Sequence, residues 1–337
     1  MPKLIKLNLS NMQNVSSGGG RANLVLPKGL TILGLLFLNS TGAAAQDWIG
    51  TETVRLLVNG RIITQATMNQ IATVQDARME AQAGGLYSLT GFGSGFSGNY
   101  TAARSVSWPG INGFNPVASA TGRFSAFFLN LGQNNSDSPA WRRNLALNTG
   151  APGITGASVE IDYGSTFTTP IFQVYAWVDT SRSSPNPDPS EVCPMIRVQS
   201  LACQTAGDNV FTDIPPYLYR ALFFSGLSAA SEGMRLLINR QEVYNTRDAL
   251  CPATRLFVGQ MLAQIEGIQG SASDGFAVNS AAGNAMRSVM TSYILDAAGN
   301  ADNLFNRAEG NVELTLTTAA AKTVTLISES IGNPLTD

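Results

Sequence analysis

Carboxylates carry whatever acid–base chemistry this 337-residue chain could perform, because it contains no histidine. Without an imidazole there is no Ser-His-Asp or Cys-His nucleophile, no His-ligated zinc or cupin-type metal site, and the commonest general base is missing. Asp179, Asp188 and Glu191 fall near the middle of the chain, and Asp296 and Asp302 flank Asn300. Two carboxylates on either side of a glycosidic bond would make a glycan hydrolase. Loop oxygens would suit Ca²⁺. Neither group has a defining spacing: "DAAGNAD" (296–302) lacks the fixed Gly and terminal Glu of an EF-hand loop. Both read as solvated loop charges.

The remaining chemical motifs are equally bland. Cys193, Cys203 and Cys251 form an odd set without CxxC spacing, which reads as ordinary thiols in a reducing compartment, with a single Cys193–Cys203 bridge as the alternative. "GSGFSG" (93–98) satisfies G-x-G-x-x-G, but no strand precedes it, no helix follows, and no GK[ST] occurs. A loop is the expectation. No catalytic residue, cofactor site or metal ligand is assigned.

Charge narrows the partners. The net charge is −2, charged residues make up 13% of the chain, and no basic run appears, so direct specific nucleic-acid binding is not expected. A 44% hydrophobic chain with so few charges is expected to hide much of its surface against other subunits. Lys3 and Lys6, interleaved with Leu4, Ile5 and Leu7, would let an N-terminal arm touch an anionic membrane.

The elements that must position these residues are short strands. Residues 1–20, ending in "SSGGG", read as a flexible arm. Strand patterns follow at 22–26, 30–39, 53–58 and 61–65, with Asn59-Gly60 as a tight hairpin turn between the last two. "KGLTILGLLFLNSTGAAAQD" (28–47) has the pieces of a secretory signal, yet it begins far into the chain and Gly34 interrupts it, so it reads as a buried strand. Residues 67–82 predict an amphipathic helix on Met68, Ile71, Val74 and Met79. Further strands are expected at 123–131, 157–163 and 170–179, and "SRSSPNPDPS" within 181–190 reads as a linker.

After the linker the pattern restarts. "FTDIPPYLYRALFF" (211–224) resembles "LVLPKGLTILGLLF" (24–37), and "MRLLIN" (234–239) repeats "VRLLVN" (54–59). A second helix is predicted at 253–266. "GNVELTLTT" (310–318) then echoes "GASVEIDYG" (156–164), and "KTVTLISES" (322–330) takes the place of "PIFQVYAWV" (170–178). The matched order implies two copies of one domain. Duplication also accounts for the repeated Arg55 and Arg235, whose stems are expected to pack along the strand surface. Many strands, few helices and long loops predict antiparallel β-sandwiches, and eight strands each predict jelly rolls.

This order of arm, Leu-Pro or Ile-Pro before a hydrophobic strand, "RLLVNG" hairpin and short helix, repeated once, resembles the double jelly-roll major capsid proteins of tailless icosahedral bacteriophages of the tectivirus and corticovirus type. The resemblance implies an all-β chain divided into an arm (1–20), a first jelly roll (21–180), a linker (181–210), a second jelly roll (211–332) and a tail (333–337). It further implies a non-enzymatic subunit of pseudo-hexameric homotrimers that tile a virion shell after assembly in the host cytoplasm. Its partners would be itself, minor capsid or penton proteins, and an internal viral membrane reached through residues 1–20. Two rivals follow from the residues: a two-sandwich carbohydrate- or receptor-binding protein using the aromatic stretch 84–118 with Tyr100 and Trp108, and a carboxylate-based glycan hydrolase.

Overall fold

Alternation of apolar and polar residues writes most of the strands, since successive side chains in a strand point to opposite faces. The computed structural model describes residues 4–39, 51–68, 70–71, 125–131, 146–165, 167, 170–179, 193–215, 218–227, 232–245, 290–294, 305–306 and 311–336. In the first half these form β1 (Leu4–Asn11), β2 (Gly20–Leu26), β3 (Thr31–Asn39), β4 (Thr53–Val58), β5 (Arg61–Thr67), β6 (Ser125–Asn130), β7 (Leu147–Asn148), β8 (Ala157–Tyr163) and β9 (Phe172–Asp179). The second half holds β10 (Cys193–Cys203), β11 (Gly207–Phe211), β12 (Leu218–Ser225), β13 (Gly233–Ile238), β14 (Gln241–Asn245), β15 (Met290–Ile294), β16 (Phe305–Asn306), β17 (Val312–Thr318) and β18 (Lys322–Gly332).

The first half builds two antiparallel sheets, β1-β9-β3-β6 and β2-β8-β4-β5, and the second builds β10-β18-β12-β15 and β11-β17-β13-β14. Raising every label of the first half by nine reproduces the second, including the short β7 and β16 that pair with β3 and β12. Each half is therefore a jelly roll of eight main strands with one short added strand, β7 or β16, and the fold is an all-β double jelly roll. The repetition extends to irregularities. A bulge follows Leu56 where β4 meets β5, and another follows Leu236 where β13 meets β14. A second pair of bulges separates Ile32 from Gly34 and Tyr219 from Ala221 against β9 and β18. Bulges are built-in features of a fold, and their matching positions support duplication of one domain.

Inward-facing residues of the shared strands are closed from water. Val54 faces Ile161 and Leu56 faces Val159 in the first half, and Leu236 faces Leu314 between Val312 and Leu316 in the second, all with no exposed surface. Each such side chain contributes about 1.5–3 kcal/mol through burial. Met68 and Ile71, two residues of the predicted helical stripe, are also buried. The helix opens with a capping box: Gln70 N donates to Thr67 Oγ1 at 3.2 Å, and Thr67 N donates to Gln70 Oε1 at 2.8 Å. Val74, Met79 and the predicted helix at 253–266 lie outside the described residues.

Two expectations are corrected, and the alternative of a Cys193–Cys203 bridge falls away. Residues 4–11 are β1, paired along their length with β9, so they are not part of a flexible arm. Ile5, Leu7 and Leu9 alternate with Lys6, Asn8 and Ser10 at strand period. Residues 193–203 and 207–210, expected in the linker, belong to β10 and β11, the first two strands of the second jelly roll. Cys193 and Cys203 are buried thiols that form no disulfide and stand at opposite ends of one strand. At about 3.3 Å per residue they sit roughly 33 Å apart, far beyond the reach of a disulfide.

The chain divides into two compact units, with the boundary inside β10 between Ile196 and Arg197. The C-terminal residues from Gly332 belong to the first unit. There Arg61 Nη1 donates to the Leu335 carbonyl at 2.9 Å, and Leu335 N donates to Asn333 Oδ1 at 2.9 Å.

Candidate interaction faces

Among the described residues, the outer faces of the β2-β8-β4-β5 and β11-β17-β13-β14 sheets gather charged and polar side chains from several strands. In the first unit β2, β8 and β4 bring Arg21, Glu160, Asp162 and Arg55 together. Arg21 Nε pairs with Asp162 Oδ1 at 2.7 Å, Arg55 Nη1 with Asp162 Oδ2 at 2.5 Å, and Arg21 Nη1 with Glu160 at 3.5 Å. Partial burial pushes the Asp162 carboxyl up. The hydrogen bonds and charges of Arg21 and Arg55 together outweigh burial and hold it below the usual carboxylate range. Arg55 thus packs its stem as expected, with its side chain only 14% exposed, and it also makes an ion pair. The alternation "VEID" in β8 carried the missed signal, since Glu160 and Asp162 share one face.

The second unit keeps the arginine and replaces its partners. Arg235 pairs in register with Thr315, as Arg55 does with Glu160, and its Nη2 donates to Thr315 Oγ1 at 3.5 Å. Asp208 takes the place of Arg21 and accepts from Thr317 Oγ1 at 2.6 Å. One row further along, Val25, Ser158, Leu57 and Ile62 cross all four strands of the first unit. Val25 is 72% exposed and Ile62 45%. The corresponding row of the second unit holds Glu313, Leu237 and Glu242. That row is apolar in the first unit, beside mutually neutralised charges, and is flanked by acids in the second.

The asparagine that closes "RLLVN" and "RLLIN" has a role that sequence reasoning assigned only to the turn. Asn59 and Gly60 have φ of 51° and 80°, and Asn239 and Arg240 have φ of 50° and 67°. Both turns are left-handed, so the second copy has kept the geometry while losing the glycine. Each asparagine also clamps the segment before β8 or β17. Asn59 N donates to Gly156 O and Asn239 N to Asn311 O, both at 2.8 Å. Asn59 Oδ1 accepts from Thr155 N at 2.7 Å, Thr155 Oγ1 at 2.9 Å and Gly156 N at 3.2 Å, and its Nδ2 donates to Gly153 O at 2.8 Å. Asn239 Oδ1 accepts from Asn311 N at 3.0 Å.

Buried acids recur at one matched position. Glu52 and Glu232, each just ahead of β4 or β13, are 2% and 7% exposed. Glu232 Oε1 accepts from Ala319 N at 2.9 Å and pairs with Lys322 Nζ at 2.5 Å. Burial pushes the nearby Cys203 thiol up, against the opposing pull of Lys322. These arrangements satisfy charges within the fold and present no nucleophile beside a base.

Among the described residues no group of three or more His, Cys, Asp or Glu is placed to hold a metal ion, and no helix is long and apolar enough to cross a membrane. Asp179 is buried in β9. Asp188, Glu191, Asp296, Asp302, Cys251, Lys3, the 93–98 motif and the aromatic stretch with Tyr100 and Trp108 lie outside the described residues.

No family model matches the sequence, and no curated protein does. Solved structures do match the fold. The chain is similar to the major capsid protein P2 from bacteriophage PM2, with a TM-score of 0.61, 13% identity, and coverage of 98% of this chain and 97% of that one. It is also similar to VP54 of PBCV-1, as fitted into a reconstruction of the virophage Sputnik, with a TM-score of 0.51, 10% identity, and coverage of 98% and 94%. A likeness to the glycosylasparaginase PNGase F has a TM-score of 0.30, too low to carry an argument. The two capsid-related matches establish a shared fold over the full chain.

Proposed function

We propose that this chain is the major capsid subunit of a tailless icosahedral phage, non-enzymatic, assembling as pseudo-hexameric homotrimers that tile the virion shell. The single observation that carries this reading is the match of both jelly rolls, over 98% of this chain and 97% of the other, to a major capsid protein. Two sandwiches per chain and three chains per tile place six similar sandwiches around a threefold axis. Low charge and the exposed row of Val25 and Ile62 suit large subunit contacts. The working location is the virion, with assembly in the host cytoplasm and minor capsid or penton proteins filling the vertices. The domain division that follows is an arm reduced to the residues ahead of β1, two jelly rolls and a short joining segment ahead of β10.

Native mass spectrometry or sedimentation of the purified full chain tests this. Three chain masses, with a hexagonal outline in electron micrographs, is the expected result. A monomer that binds a glycan would replace this reading with the carbohydrate-binding one.

A further inference from the structure

The β4–β5 turn holds a covalent reaction that its twin in the second unit cannot run easily. In an Asn-Gly pair the glycine nitrogen approaches the asparagine side chain without a Cβ in the way. Attack of Gly60 N on Asn59 Cγ forms the N–C bond of a five-membered imide and breaks the Cγ–Nδ2 bond. Ammonia leaves, taking the proton of the Gly60 N–H. Water then opens the imide, its OH joining one carbonyl carbon and its H the ring nitrogen, which leaves aspartate or isoaspartate.

The folded turn acts on this reaction in two opposite ways. Three donors converge on Asn59 Oδ1, from Thr155 N, Thr155 Oγ1 and Gly156 N at 2.7, 2.9 and 3.2 Å. Such donors stabilise an oxyanion and would activate Cγ. The backbone opposes them. With φ of 51° and 80° the pair is a type I′ turn. In that turn the Gly60 nitrogen lies anti to the Asn59 Cβ, whereas the imide ring requires the two nearly eclipsed. A polarised carbonyl that the nucleophile cannot reach does not react, so conformation decides. Asn59 N to Gly156 O and Nδ2 to Gly153 O, both 2.8 Å, hold that conformation, and the three contacts to Oδ1 hold it with them, so losing one frees the turn more than it weakens the polarisation.

We propose that Asn59-Gly60 is a latent self-modification site, held shut by its clamp on residues 153–156 and opened only when the turn detaches from them. Isoaspartate adds a backbone atom to a two-residue turn, and either product places a carboxylate where Nδ2 donated to Gly153 O. The opened turn therefore cannot reclose in its old form, and the first jelly roll carries an irreversible ageing point. Asn239 keeps the clamp, but the Arg240 side chain obstructs ring closure, so the second jelly roll lacks that point.

The full chain is incubated at mildly alkaline pH, folded and in guanidinium chloride, and the tryptic peptide Leu56–Arg61 is followed for the mass gain of NH2 becoming OH and for isoaspartate. The other Asn-Gly pair, Asn112-Gly113, is the internal reference. In denaturant Asn59 and Asn112 should convert at similar rates while Asn239 stays intact. In the folded protein Asn59 should convert about thirtyfold more slowly, the factor set by breaking several exposed hydrogen bonds to open the turn. Thr155→Val, which removes one donor and leaves the turn, should speed the folded reaction about fivefold and leave the denatured rate unchanged. Folded conversion as fast as denatured, or an inert Asn59 in denaturant beside a reacting Asn112, overturns the proposal. A folded Thr155→Val rate equal to wild type removes the clamp from it.

Discussion

Gly34→Ala places a methyl group where the Phe128 ring already lies. A Cβ at residue 34 would sit 2.2 Å from Phe128 Cζ, 2.7 Å from Cε2 and 3.1 Å from Cε1, well inside the optimal carbon–carbon separation of about 3.5–4.0 Å. Gly34 pairs with Asn130 and Leu36 with Phe128, so the ring leans diagonally over the glycine, and it is only 4% exposed. Forcing it aside should cost about 1–3 kcal/mol, offset by roughly 0.5–1 kcal/mol because alanine suits a strand interior better than glycine. The net expectation is a loss of about 1.5 kcal/mol. Phe128→Leu alone should lose about 1–2 kcal/mol of packing. In the double variant the obstruction is gone, so it should be no less stable than Phe128→Leu, a coupling of about 1.5 kcal/mol against the additive sum. The second unit already holds such a pairing, with Ala221 and Ser292 at the corresponding register positions. Guanidinium unfolding followed by tryptophan fluorescence is the assay. Trp48, Trp108, Trp141 and Trp177 all precede residue 181, so the signal reports the first half of the chain. Additive losses, or a neutral Gly34→Ala, would refute the reasoning.

Three further outcomes follow from the same contacts. Asn59→Gly keeps the positive φ but removes the side-chain clamp, for a loss of about 1–2 kcal/mol, and Asn59→Ala should lose about 1 kcal/mol more through backbone strain; equal midpoints for the two would show that strain is absent. Arg240→Gly relieves a left-handed arginine at φ 67° and should raise the denaturation midpoint of the second unit by the equivalent of about 1 kcal/mol, read by far-UV circular dichroism, where no change would count against the strain. Asp162 has a lowered folded pKa, so its contribution is complete above the unfolded value of about 4 and disappears as pH falls through the folded one. Because the pair is partly exposed, the effect should stay below about 1 kcal/mol and shrink in salt; Asp162→Asn should flatten that part of the stability–pH curve, and an unchanged curve would sink the assignment.

Pattern within a strand was legible from residues alone, and pairing between distant strands was not. "VRLLVN" and "MRLLIN" announce β4 and β13, their inward faces and a duplication, because alternation is a local property of the chain. The same alternation in "LIKLNLSN" does not by itself mark a strand of the first domain, because a strand that opens a domain finds its partner only when β9 arrives. Leu4 pairs with Asp179, and nothing local encodes that closure. β10 was hidden in the same way, with its partner β18 more than a hundred residues on. The ion pairs of Asp162 with Arg21 and Arg55 join three strands. The clamp of Asn59 on Thr155 and Gly156 spans some ninety residues.

By itself the sequence determined the fold class, the repeat, the Asn59-Gly60 hairpin turn and the absence of histidine chemistry, since composition and local pattern need no partner. Only the tertiary structure decided which strands open each jelly roll, why the asparagine of both repeats is kept, and that one row of the first outer face is apolar where its counterpart carries acids. Those depend on register across loops of many residues, where closing the loop is repaid by contacts that no stretch of chain contains alone.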